Sequence, residues 1–159
     1  MDKRALIRSV VAQLERELAR QTEAALGSRS EATDAESKAE GKFDMRGQSA
    51  AYLAAGQARL ASEIGEAIAA WRTLAPQAFS PLQGVALGAL VILESGGQRA
   101  AYLVGPSSGG LEAQDGEDSA TVVTAASPLG RQLMGRRAGD SVRMAGRLGP
   151  VLHRIASVD

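Results

Sequence analysis

Five carboxylates fall within residues 31–44: Glu31, Asp34, Glu36, Glu40 and Asp44, opposed by Lys38 and Lys42. Magnesium is a hard ion that takes oxygen ligands. It uses one or two protein carboxylates and completes its shell with water and substrate phosphates. Acids carried at the end of a long support could bring such ligands into another protein's site and help hold a metal and its hydrolytic water. The same acids also suit a helix start, where they offset the positive end of the dipole. Thr33-Asp34-Ala35-Glu36 has the form of a capping box, with Thr33 as cap and Glu36 reaching back.

Other chemistries are excluded by composition. The chain has no cysteine and a single histidine, His153, so thiol nucleophiles, thiolate zinc sites and histidine-pair metal sites are ruled out. His153 lies in an expected strand with no second histidine or serine nearby in sequence to make it a catalytic base. The aromatic residues are Phe43, Tyr52, Trp71, Phe79 and Tyr102, too few for a base-stacking platform. Gly105-Pro-Ser-Ser-Gly-Gly110 lacks the Gly-Lys-Ser/Thr of a phosphate loop and reads as a hairpin end. Eighteen basic residues balance eighteen acidic ones among 159, which excludes a uniformly basic nucleic-acid binder. No apolar run approaches the roughly 20 residues of a membrane helix or forms a signal sequence, so a soluble cytoplasmic protein with no membrane partner is expected.

The elements that must position the acids come from two unlike halves. Residues 1–75 are rich in strong helix formers and contain no proline. Ile7, Val10, Leu14, Leu18, Gln21 and Ala25 recur every three to four residues, and Gly27-Ser28 supplies a helix end. A second helix is expected from Thr33 to about Leu74. Its seam is Phe43, Gly47, Ala50, Ala54, Gln57, Ala61, Ile64, Ile68 and Trp71, widened by Leu53, Leu60 and Leu74. A short link makes the two helices an antiparallel coiled-coil hairpin. About 40 residues at 1.5 Å each give roughly 60 Å, so the hairpin is expected to stand out as a rod. The other arrangement is a helix pair folded onto the second half.

Residues 76–83 read as a linker, since each X-Pro step disfavours helix before it. Trp71 and Phe79 flank it and suit docking contacts between domains. Residues 84–159 form the second domain. Gly84–Glu94, Arg99–Gly105, Ser119–Ala125, Asp140–Met144 and Val151–Ala156 read as strands. Ser127 and Pro128 open a short helix as N-cap and first residue. The order β-β-β-α-β-β predicts an antiparallel sheet with one helix, and an α+β chain overall. Glu112, Asp115, Glu117 and Asp118 crowd one expected loop. Arg131, Arg136, Arg137, Arg143, Arg147 and Arg154 load the C-terminal stretch, where a basic face could meet RNA or an acidic protein surface or simply be solvated.

Val122 to Met144, VVTAASPLGRQLMGRRAGDSVRM, resembles the C-terminal signature of the Gre transcript-cleavage factors GreA and GreB. The shared pattern is a strand, Ser-Pro, a short Arg-Gln-Leu helix, a glycine, then Gly-Asp and a valine strand. Val85–Leu93 with Tyr102-Leu103-Val104 resembles the preceding hairpin, and length and order of parts agree over nearly the whole chain.

The resemblance implies a coiled coil joined to an FKBP-like domain that docks on RNA polymerase, with Ser127 and Pro128 at the contact. The coiled coil would enter the polymerase secondary channel. Asp34 and Glu36 would then be the tip acids that act in catalysis, as metal ligands only in complex with the polymerase. The protein would be an accessory factor and not an enzyme, with no cofactor of its own and magnesium shared with the polymerase. It would act on the 3′ end of the nascent RNA indirectly, during cleavage of backtracked transcripts. The tip departs from the family pattern. With Asp34 on the family's aspartate, the family's glutamate falls on Ser37 and its tyrosine on Gly41. A non-cleaving regulator that acts by occupying the channel is the alternative. The FKBP-like part alone would suggest a peptidyl-prolyl isomerase, but such a pocket is aromatic-lined, and Phe79 and Tyr102 are the only aromatics available beyond Trp71.

Overall fold

The computed structural model describes residues 1–38, 45–74, 76, 79, 83–146 and 149–159, with the backbone only at 28, 31–38, 45–48 and 50. Two long helices come first, α1 (Lys3–Lys38) and α2 (Met45–Thr73). Asp2 caps α1: its Oδ1 accepts from Arg4 N at 2.9 Å and its carbonyl from Leu6 N at 3.1 Å. At 36 residues, α1 is about 54 Å long.

The expected break at Gly27-Ser28 is absent, and Thr33 caps nothing, because α1 runs through both positions. The second helix therefore begins at Met45 and not at Thr33. A glycine inside a helix costs about 1 kcal/mol relative to alanine. Ala24, Ala25 and Leu26 before it, and Arg29 after it, favour helix enough to carry the chain through. A Cβ at Gly27 would meet nothing within 4 Å. Gly27→Ala should therefore stabilise the helical unit by about 0.5–1 kcal/mol. A rise in thermal midpoint and in helical circular dichroism would show it, whereas a glycine serving as a left-handed helix stop would give a loss.

The apolar stripes are where the spacing places them. On α1, Ile7, Val10 and Leu14 are buried, and Leu18, Gln21 and Ala25 are half-buried. On α2, Ala54, Gln57 and Ala61 are half-buried, and Ile64, Ile68 and Trp71 are buried. The expected widening fails at Leu53 and Leu60, which are 56% and 41% exposed. Each lies one residue before a seam position, Ala54 and Ala61, and so about 100° around the axis from it.

The chain divides into two compact units. Ala12–Ile68 is one, made of the greater part of α1 and of α2. The other is Met1–Val11 with Ala69–Asp159. It holds β1 (Leu90–Ser95), β2 (Gln98–Gly105), β3 (Glu112–Asp115), β4 (Asp118–Thr124), α3 (Pro128–Leu133), β5 (Ser141–Gly146) and β6 (Gly149–Val158). These strands form one six-stranded sheet in the order β3-β4-β2-β1-β6-β5. Gly96 and Gly97, both at positive φ, make the two-residue turn between β1 and β2.

The α+β class holds, with two corrections to the sheet. β2 and β4 pair in parallel, with Leu103 beside Val122, so the sheet is mixed and not antiparallel. The cause is β3, in the segment whose acids predict a loop. It turns back on β4 as an edge hairpin and so delivers β4 to β2 in the same direction.

Both faces of the sheet carry buried residues. On one, Val91 and Leu93 of β1, Val104, Val123, Val142 and Ile155 pack with Val85 and with Leu133 of α3. On the other lie Leu90, Leu103, Val122, Ala113 and Ala120, all buried, as are Leu6, Val10 and Trp71 of the helix ends in this unit. Ser9 Oγ accepts from Gln114 N at 3.0 Å, and Asp115 accepts from Asp2 N at 2.6 Å, which ties the start of α1 to edge strand β3. Among the described residues no helix is long and apolar enough to cross a membrane.

Candidate functional site

Asp34 and Glu36 lie near the end of α1, in its last two turns before Lys38. Two positions on a continuous helix are about 200° apart around the axis, so the backbone does not place them on one face. Position 34 shares a face with 31 and 38, and position 36 with 33. Glu40 and Asp44 lie outside the described residues. Among the described residues no group of three or more acids or histidines could hold a metal ion.

Ser127 and Pro128 are held from several sides. Ser127 is the N-cap of α3, with extended backbone (φ −68°, ψ 157°). Its Oγ accepts from Gly130 N at 3.0 Å and donates to the Thr124 carbonyl at 2.8 Å. Pro128 takes the first helical position, where a missing N–H leaves nothing unpaired. The Arg131 guanidinium donates to the Ala126 carbonyl. Ala125, Ala126 and Pro128 are exposed on this fixed loop. It is a helix start in structure, with these three residues on its exposed side.

Sequence reasoning missed the role of Gln132. Its side-chain amide donates to the Arg143 carbonyl at 2.8 Å and accepts from Arg143 N at 2.9 Å. It thus stands in for a neighbouring strand at the outer edge of β5, one way an exposed edge is blunted. No local signal marks this, because the partner lies eleven residues away.

Charge is segregated across the sheet. Glu117 and Asp118 are exposed at the β3–β4 turn, while Arg143 and Arg154 are exposed on β5 and β6. His153 is half-buried on β6, its Nδ1 3.2 Å from the Val151 carbonyl. Burial raises the Tyr102 hydroxyl above its usual 10.0. A cleft of about 460 Å³ lies between the start of α1 and Leu90, Ile92 and Asp159. Lys3 stands there with its Nζ 5.0 Å from the centroid of the Phe79 ring, and burial lowers its pKa against the opposing pull of Asp159. Asp2, Lys3, Arg4 and Asp159 all line this cleft, so its charge is mixed and favours no one ligand sign.

No family model matches the chain, and no curated protein matches it. Solved structures do. The transcription factor Gfh1 is 19% identical, with 94% of this chain and 93% of that one covered and a TM-score of 0.39. Gfh1 of Thermus aquaticus is 19% identical over 92% of each chain, with a TM-score of 0.41. The transcription elongation factor GreA/GreB from Nitrosomonas europaea is 19% identical over 65% of this chain and 78% of its own, with a TM-score of 0.39.

Proposed function

We propose that this protein is a Gre-type transcription factor that binds RNA polymerase, places its helical pair in the secondary channel and modulates elongation. In this reading Ser127 and Pro128 contact the polymerase. Asp34 and Glu36 are offered as oxygen ligands to magnesium held jointly with the polymerase, for hydrolysis of backtracked RNA.

The observation that carries the reading is where the acids fall. Because α1 continues to Lys38, Glu31, Asp34 and Glu36 occupy its C-terminal turns and not a helix start. Carboxylates there meet the negative end of the dipole. Of the three, Glu36 lies in the last turn and gains nothing from the dipole, which supports a reading in which the acids serve a hard cation supplied by a partner. The signature from Val122 to Met144 supports the same reading, since it folds as strand, capped helix and strand with Pro128 exposed.

The backbone also favours a second reading. With positions 34 and 36 on opposite sides of α1, one ion is not reached by both without unwinding. The protein would then regulate by occupying the channel. Polymerase halted on backtracked RNA separates the two. In the first reading, wild type shortens the RNA when magnesium is present, and Asp34→Ala with Glu36→Ala binds normally but slows shortening at least about tenfold. Wild type that binds and alters elongation while leaving the RNA intact selects the second. No binding to the polymerase overturns both.

A further inference from the structure

The sheet face opposite α3 is covered unevenly. Over β3, β4, β2 and the start of β1 it holds the buried Ala113, Ala120, Val122, Leu103 and Leu90, and Leu6, Val10 and Trp71 lie buried in the same unit. Over β6 and β5 it is open. The register sets Ser141 opposite Arg154 and Arg143 opposite Leu152, so all four side chains share this face. Arg154 lies beside Glu94 on β1, and Glu94 beside Arg99 on β2. Glu94 is taken by Arg99 at 3.5 Å. Arg143 and Arg154 make no ion pair among the described residues. Between them stands Leu152, 61% exposed, with Ala145 and Pro150 also exposed beyond it.

An apolar side chain bracketed by free guanidinium groups has the make-up of a protein interface centre, where arginine is enriched and surrounding contacts exclude water. Guanidinium forks bind carboxylates in pairs. The face has no aromatic side chain on which a base could stack, which disfavours single-stranded nucleic acid. We propose that the β5–β6 face docks an acidic protein surface, with carboxylates for Arg143 and Arg154 and an apolar contact on Leu152.

Two probes test this. One is RNA polymerase, which rests on the function proposed above. The other is a synthetic amphipathic helix of glutamate and leucine, which does not. Arg143→Glu with Arg154→Glu, and separately Leu152→Asp, should each bind at least about tenfold more weakly, with wild-type binding falling as salt rises. All three positions are exposed, so unchanged melting curves are expected and confirm that the variants fold. If wild type ignores the polymerase but the variants lose the peptide, the docking face stands and the functional reading falls. If every variant keeps wild-type affinity for both probes, the face is a solvated surface and the proposal is wrong. It is equally wrong if a single-stranded RNA oligonucleotide binds through the arginines and Leu152→Asp leaves that binding intact.

Discussion

Alanine at position 130 should lower the thermal midpoint of the sheet-bearing unit by about 10 °C or more, although it adds a single methyl group. Gly130 lies in α3 directly beneath the capping serine. A Cβ there would overlap the Thr124 carbonyl oxygen, lie 2.8 Å from its carbon and sit 3.0 Å from Ser127 Oγ. Thr124 is the last residue of β4, and its carbonyl already accepts from Ser127 N at 3.0 Å and Ser127 Oγ at 2.8 Å. Strand end and helix start are locked together, and neither is the loose tip of a flexible side chain. Overpacking of this kind costs about 1–3 kcal/mol, and loss of the serine cap adds about 1 kcal/mol. Calorimetry on the variant checks the figure. Gly27→Ala makes the same chemical change in open space and should move the midpoint the other way. In the proposed function, Gly130→Ala also displaces Ser127 and Pro128, so polymerase binding should weaken at temperatures where the sheet is still folded.

The difference between these two glycines also shows which features were legible in the sequence. The stripe from Ala54 to Trp71 was readable because a helical period repeats, and repetition averages out local noise. The end of α1 was not, because Gly27 and Thr33-Asp34-Ala35-Glu36 are single local signals, and a cooperative helix overrides a cost of about 1 kcal/mol. Strand β3 escaped notice because Glu112-Ala113-Gln114-Asp115 offers one apolar residue, Ala113, buried under the start of a helix more than a hundred residues earlier in the chain. The parallel pairing of β2 with β4 follows from that hairpin and could not be seen without it. For the candidate site, the residues were legible as residue types, but their place was reversed. The Thr33-Asp34-Ala35-Glu36 pattern predicts the favourable start of a helix, and Asp34 and Glu36 lie instead near the end of α1.

Trp71→Ala should be the most damaging side-chain truncation in the sheet-bearing unit, costing about 3–5 kcal/mol. The indole is fully buried, and it lies against the backbone of Gly105 at the end of β2. A Cβ on Gly105 would land on the Trp71 ring and 3.1 Å from Val122 Cγ1, so the glycine is there to admit the ring. Trp71 Nε1 has no hydrogen-bond partner among the described residues. A buried unpaired donor costs about 1–3 kcal/mol. Trp71→Phe removes that donor while keeping most of the apolar contact, so it should cost well under half of what alanine costs. The two residues should also couple. Gly105→Ala alone forces the ring to move and should cost about 1–3 kcal/mol, as overpacking does. In a Trp71→Phe background the smaller ring leaves room, and the same substitution should cost at least about 1 kcal/mol less. Chemical denaturation of the four proteins closes the cycle. Additive costs would mean that the indole does not depend on the bare backbone at position 105.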